Sequence, residues 1–402
     1  MNGARTRGQA AALRAVAAMV RGPAPHAVLL VGPDGVGKTT LALDLAAGLL
    51  CTAAPADRPC RDCRACRLVE HDAHPDLHRL GPVGPGRQVV IGGPDAKYRG
   101  VRELVTDLAL MPVEAGARLA IIEAADRMNE DAQSALLKTL EEPPSGVTIV
   151  LCADQEARLL PTVRSRCFRV RLGLVGTRDI EAIVADHGLA DPPTAARLGR
   201  LAGGRPGIAL AYARAPDAVL IRAELTRVLL DMTDAGPASR LAAARAAIPR
   251  AIALSKALGA GDPAAAPVRP SRRRGASAAA AAAPLPDGPD EEVQTDADDT
   301  DDAAAARTRT PAAERRRGVE VLLGLWSDLA RDLVLIGAGG ARSVHDTVLL
   351  DELAGIAAAV DPADAVAFLG RSSRSAEWLA TNVSPELILD ALVLGWPRRA
   401  AA

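Results

Sequence analysis

Eight residues, Gly32-Pro33-Asp34-Gly35-Val36-Gly37-Lys38-Thr39, follow the pattern G-x-x-x-x-G-K-[ST] without a mismatch. Glycine at Gly32, Gly35 and Gly37 lets backbone N–H groups turn inward around phosphate oxygens. Lys38 would then neutralise the β- and γ-phosphates. The Thr39 hydroxyl would hold Mg²⁺, with Thr40 beside it in the first turn of a helix whose positive end adds to the site. The context agrees. Ala27 to Val31 reads as a buried strand before the loop, and Thr39 to Leu50 as a helix after it. ATP with Mg²⁺ is the ligand expected. A chance glycine-rich turn is the bland alternative, and it loses weight where lysine is this scarce, at Lys38, Lys97, Lys138 and Lys256 only.

Hydrolysis asks for more. An acidic residue ending a second strand must hold Mg²⁺, and a carboxylate beside it must activate water. The strand Arg118 to Glu123 and the residues after it, Ala124-Ala125-Asp126, put Glu123 in the first acidic position and Ala124 in the second. A methyl group can neither take a proton nor orient water. The expectation is nucleotide binding with poor or absent turnover. Asp126 is a candidate substitute base, weighed against facing away or helping to start the next helix.

Cys51, Cys60, Cys63 and Cys66 fall within sixteen residues. Two short loops and a return can set four thiolates tetrahedrally around Zn²⁺, and with all four bound no catalytic position remains, so such zinc is structural. An iron–sulfur cluster and unrelated buried cysteines are the alternatives. His71, His74 and His78 follow, but Pro75 argues against a helix there, and they read as ordinary surface or turn residues. Arg164 and Arg166 flank Ser165 just before Cys167. A guanidinium at a rigid helix end can complement charge on a phosphate, even across a subunit boundary. Taken alone, an ordinary surface ion pair is the better reading of that arginine.

The elements that must position these groups alternate strand and helix as far as the strand Phe168 to Leu172, with Val147 to Cys152 as another strand. That alternation implies a parallel sheet covered on both faces. Asn129 can cap the helix that carries Ala132, Leu136 and Leu140 and stops at Pro143-Pro144. From Thr177 the pattern is helical: Asp179 to His187, Pro193 to Leu201, and one helix from Gly207 to about Met232. The domains expected are a nucleotide-binding domain over 1–172, a small helical lid over 173–235, and an all-helical domain over 236–258 and 317–397. That last domain is read from the helices Ser239 to Leu258, Glu320 to Ile336, His345 to Val360, Pro362 to Arg371 and Pro385 to Trp396. Between its parts, 259–316 is rich in Ala, Pro, Asp and Arg, and Asp287 to Asp302 holds nine acidic residues and no basic one. Such a stretch reads as disordered.

The formal net charge of −1 does not indicate strong whole-chain attraction to DNA phosphate, and seven aromatic residues argue against a stacking platform for single strands. No apolar run is long enough to span a membrane, and Met1 to Val20 shows no secretory leader, so a cytoplasmic location is expected.

Together these motifs resemble the bacterial clamp-loader branch of the AAA+ ATPases. The resemblance rests on the phosphate loop and the four cysteines, then His74-Pro75-Asp76, Ser134 to Pro143, and Leu159 to Cys167, in the family's order. Leu379 to Leu387 is similar to the helical collar through which such subunits assemble. The resemblance implies an AAA+ domain, a lid and a collar within a hetero-oligomeric ring. The expected partners are other clamp-loader subunits of the gamma/tau and delta types, a sliding clamp, and primed DNA reached through the complex. It implies that Arg166 serves ATP bound by a neighbour. Motor members carry Asp-Glu where this chain has Glu123-Ala124, and an arginine where Gly203-Gly204-Arg205-Pro206-Gly207 has Pro206. Both departures point to a non-motor, stator type. The intact Lys38 keeps open a motor that hydrolyses ATP with Glu123 or Asp126, and a zinc-containing DNA-binding adaptor with a vestigial nucleotide site is the third reading.

Overall fold

A computed structural model describes residues 3–84, 87–93, 96–114, 116–260, 311–379 and 383–399. Five parallel strands, β1 (Ala27–Val31), β2 (Leu77–Leu80), β3 (Arg118–Ile122), β4 (Val147–Ala153) and β5 (Phe168–Arg171), lie in the spatial order β2-β3-β4-β1-β5. Side chains alternate between the faces of a strand, so near-continuous aliphatic runs require cover on both sides. Val28, Leu30, Ile121 and Val150 pack under α1 (Ala10–Arg21), α2 (Lys38–Leu50) and α3 (Arg64–Glu70). Leu29, Ile122, Ile149 and Leu151 pack under α4 (Val101–Leu108) and α5 (Glu130–Glu141). Burying one such leucine completely stabilises by about 1.5–3 kcal/mol.

The strand β2 is one the apolar pattern does not announce. Only Leu77 and Leu80 are buried in it, and His78 and Arg79 interrupt them. Its backbone is satisfied by parallel pairing with β3, Leu77 opposite Leu119 and Leu80 opposite Ile122. The expected cap of α5 is present, with the Asn129 side chain accepting from the Ala132 N–H at 3.0 Å.

Three helices, Thr177–Asp186, Pro192–Leu201 and Pro206–Arg214, enclose a small core of Val175, Ile180, Val184, Ala195, Ala202 and Ala209. The single helix expected from Gly207 to Met232 is corrected to two. Pro216 has no N–H to donate, and its ring drives Ala215 out of the helical region, to φ −127 and ψ 75. Pro216 then opens a new helix, Pro216–Asp231. Its Leu225, Leu229 and Leu230 join the core of the C-terminal bundle, built from Pro237–Ala260, Ala312–Gly337, Leu350–Ala357, Pro362–Leu379 and Pro385–Leu394. At its centre Trp326, Phe368 and Trp396 meet with ring centroids 4.7–6.2 Å apart.

The insertion expected over 259–316 is shorter at both ends than the composition suggests. One flanking helix runs to Ala260 and the other begins at Ala312. Ion pairs Lys256–Glu314 at 2.8 Å and Arg315–Glu386 at 2.9 Å hold that first turn against the bundle. The remainder, with Arg272-Arg273-Arg274 and the acidic run, lies outside the described residues, as do Ala380, Thr381 and Asn382 of the collar-like motif. The helix expected from His345 to Val360 is likewise shorter. Asp346 accepts from the Val348 N–H at 3.1 Å, a tight turn precedes it, and the helix proper spans Leu350–Ala357. Among the described residues no helix is long and apolar enough to cross a membrane.

Candidate functional site

Parallel pairing places the C-terminal ends of β1, β3 and β4 at one edge, with Val31 opposite Ala153. Whatever follows each strand therefore meets there. After β1 comes the glycine loop. Gly35 (φ 77) and Gly37 (φ 100) occupy the left-handed region that an L side chain rarely adopts. A Cβ built on Gly37 would meet nothing within 4 Å, so the start of α2 faces open space. The N–H groups of that first turn have no acceptor within the helix. Loop and helix end together could hold a phosphate group. Thr39 is half-buried and Thr40 exposed on this first turn.

Lys38 is buried, with 9% of its side chain exposed. Its ammonium donates to the Gly32 and Pro33 carbonyls, each at 2.8 Å, and pairs with Asp154 Oδ1 at 2.6 Å. Asp154 is the first residue after β4, and sequence reasoning missed it. The available signal was positional, because a carboxylate directly following an aliphatic strand beside β1 must reach the same edge as the loop.

After β3 comes Glu123. Arg79 of β2 donates to its Oε1 through Nε at 2.9 Å and through Nη2 as well, and Arg79 also pairs with Asp72 at 3.4 Å. Arg79 was also missed, since 44 residues and an unrecognised strand separate it from its partner. Ala124, at the second acidic position, is left-handed with φ 50. Asp126 corrects an expectation. It neither faces away nor starts α5, and is buried, accepting from the Asp154 N–H at 3.3 Å and the Gln155 N–H at 3.4 Å. Burial, then the neighbouring Asp154 charge, raises its carboxyl above the ordinary aspartate range.

The small three-helix unit after β5 touches this loop. The Gly207 N–H donates to the Gly35 carbonyl at 2.8 Å, and a Cβ on Gly207 would lie 3.1 Å from Gly35 Cα. Pro206 begins that helix, and Arg205 Nε turns back to the Ala202 carbonyl at 3.2 Å.

The cysteines converge as their spacing requires. The sulfurs of Cys51, Cys60, Cys63 and Cys66 all lie within 4.8 Å of one another, close to the roughly 3.8 Å between sulfurs set tetrahedrally around zinc. Backbone N–H groups of Ala53, Cys63 and Cys66 donate at 3.4 Å to Cys51, Cys60 and Cys63 respectively. Burial would raise the Cys63 thiol, but hydrogen bonds from Thr52 and Cys66 outweigh it and lower it to about 6, whereas burial raises the Cys51 and Cys66 thiols. The module is anchored by Asp44 of α2, fully buried, which accepts from the Arg5 and Thr6 N–H groups and from Arg61. Nearby, His71 is exposed, His78 lies half-buried on β2, and His74 is buried, correcting the surface reading. His74 Nδ1 accepts from the Asp76 N–H at 3.1 Å, and Asp76 holds the Val113 and Glu114 N–H groups.

Arg166 sits just past the short helix Pro161–Arg164. Its guanidinium donates to the Thr162 carbonyl at 2.8 Å and pairs with Glu141 at 2.6 Å, with a third of its side chain exposed. A solvent-screened pair of this kind contributes little, so an external anion can compete for the guanidinium.

Residues 9–175 match the family model described as DNA polymerase III, delta subunit. Over 183 residues the chain is 37% identical to DNA polymerase III subunit delta' of Pseudomonas aeruginosa, covering 45% of this chain and 53% of that one. It is 36% identical over 152 residues to the delta' subunit of Escherichia coli, covering 38% and 43%. To the gamma/tau subunit of Mycobacterium bovis it is 32% identical over 163 residues, covering 40% and 26%. The chain thus spans about half the length, or less, of the curated relatives it matches. The similarity to DNA polymerase III subunits is thus carried by residues 9–175, which hold the sheet, the phosphate loop, the cysteines and Arg166.

Proposed function

We propose that this chain is a delta-prime-type, non-motor subunit of the replicative clamp loader, assembled with gamma/tau- and delta-type subunits to place a sliding clamp on primed DNA in the cytoplasm. The observation that carries this reading is chemical. Position 124 offers a methyl group where a base is needed, while Arg166 keeps a third of its side chain exposed, paired with the half-exposed Glu141. The relatives named delta' support the same assignment.

In this reading Gly32, Gly35, Gly37, Lys38, Thr39 and Thr40 cradle ATP and its Mg²⁺. Glu123 is the strand-end carboxylate that could hold the metal, though Arg79 already claims one of its oxygens. Bound Mg-ATP would supply the triphosphate charge that the loop orients. The chain's own groups hold it without activating water. Arg166 acts on a neighbour's nucleotide, where a guanidinium stabilises charge in the transition state. The four cysteines hold structural zinc, and metal analysis of the purified chain should find about one zinc per chain. An iron content instead would replace that reading.

Reconstitution with candidate partner subunits tests the function. Arg166→Ala should assemble normally and lose the partners' ATPase. The intact loop favours a motor reading as second choice. Steady turnover by the lone chain, abolished in Lys38→Ala, would establish the motor and end the non-motor assignment.

A further inference from the structure

Lys38 is the one cation of the phosphate loop, and all three of its donors are taken, by Gly32, Pro33 and Asp154. The two carbonyls belong to the loop itself. Asp154 is different, because it brings a full negative charge from the end of β4 to the place where the loop would meet a phosphate. We propose that Asp154 is a built-in competitor for the phosphate site, taking the Lys38 ammonium that a nucleoside triphosphate needs and so setting how weakly this chain holds one.

Three features of the structure support this. The pair is short, 2.6 Å, and its lysine side is nearly dry, so it is stronger than a surface pair of the same atoms. The Asp154 backbone is fixed at the strand end, since the buried Asp126 carboxylate accepts from its N–H and from that of Gln155. The surroundings do not offset the extra charge. Arg79 is paired with Glu123, and the carboxylate paired with the Lys38 ammonium is that of Asp154. A triphosphate entering this site must break the lysine pair and then lie beside an aspartate. Like charges at close range oppose that strongly.

The inference rests on reading the loop as a nucleotide site, and the experiment separates the two. Mg-ATP affinity is measured by calorimetry on the full chain for wild type, Asp154→Asn, Lys38→Ala and Glu156→Gln, each checked for folding by thermal melt. Asp154→Asn should bind on the order of tenfold more tightly, the scale of one charge-assisted hydrogen bond released. Glu156→Gln removes the same charge two residues along, from a carboxylate paired with Arg171. It should change affinity by less than about twofold. Equal or weaker binding by Asp154→Asn, with Lys38→Ala still abolishing the wild-type signal, overturns the competitor while keeping the nucleotide site. An equal gain in Glu156→Gln overturns it too, by reducing the effect to overall charge. Binding by neither wild type nor Asp154→Asn, both folded, removes the nucleotide site and this inference with it.

Discussion

Lys38 and Arg166 are both cations at ends of the same sheet domain, and they are held in opposite ways. Lys38 is nearly buried, with three acceptors. Arg166 is one-third exposed, and its carboxylate partner Glu141 is half-exposed. Detaching a surface pair of that kind costs about 0–1 kcal/mol, whereas breaking a buried one costs several times more. One chain thus presents a cation that is cheap to give away and another that is expensive to reach. A motif match at Lys38 alone would have implied a working ATPase. In the structure the same ammonium is held by two carbonyls and Asp154, and on the proposal above it serves a phosphate only after that carboxylate has left.

The sharpest way to break this contrast is at Arg166. In a reconstituted complex, Arg166→Ala should reduce the partners' ATPase by roughly a thousandfold, the scale for a guanidinium supplied in trans. Assembly, followed by gel filtration, should be unchanged, because the side chain anchors nothing but Glu141 and its own helix turn. A complex that hydrolyses ATP normally without that guanidinium would leave Arg166 as an ordinary surface residue.

A smaller effect is expected on the other side of the contrast, at Asp126. Burial and the Asp154 charge raise its carboxyl in the folded chain. A group so raised stabilises the fold below its ordinary value, about 3.9, and loses that contribution as pH rises through the folded value. The melting temperature of wild type relative to Asp126→Asn should therefore climb on acidification toward about pH 4. A difference that stays flat from neutral pH to there would show that Asp126 is not strained by its position.

How much of this was legible beforehand follows from how local each signal is. The phosphate loop, the cysteine spacing and β1, β3 and β4 are contiguous patterns, and each forms where the pattern lies. The break at Ala215 was written in Pro216 and overlooked because the apolar period runs through it. Arg79 and Asp154 are of another kind. Their roles depend on which strands become neighbours, and β2 has too few apolar residues to declare itself a strand at all. A carboxylate that pairs with a lysine 116 positions away cannot be read from either motif. It needs the register that sets Val31 beside Ala153.

The smallest effect belongs to Ala124, where the missing base and the backbone meet. Its φ of 50 and ψ of 51 put an L residue in the left-handed region, at a cost of about 1–2 kcal/mol that glycine would largely escape. Glycine gives part of this back through the entropy of the unfolded chain. Ala124→Gly should therefore stabilise the chain by about 1 kcal/mol net in denaturant melts. It should leave both Mg-ATP affinity and the partners' ATPase unchanged, because a methyl group that neither takes a proton nor touches the ligand contributes nothing to lose. A loss of stability would mean that the methyl group packs against something the fold needs. A change in nucleotide affinity would mean that the turn after β3, rather than the lysine–aspartate pair, controls the site.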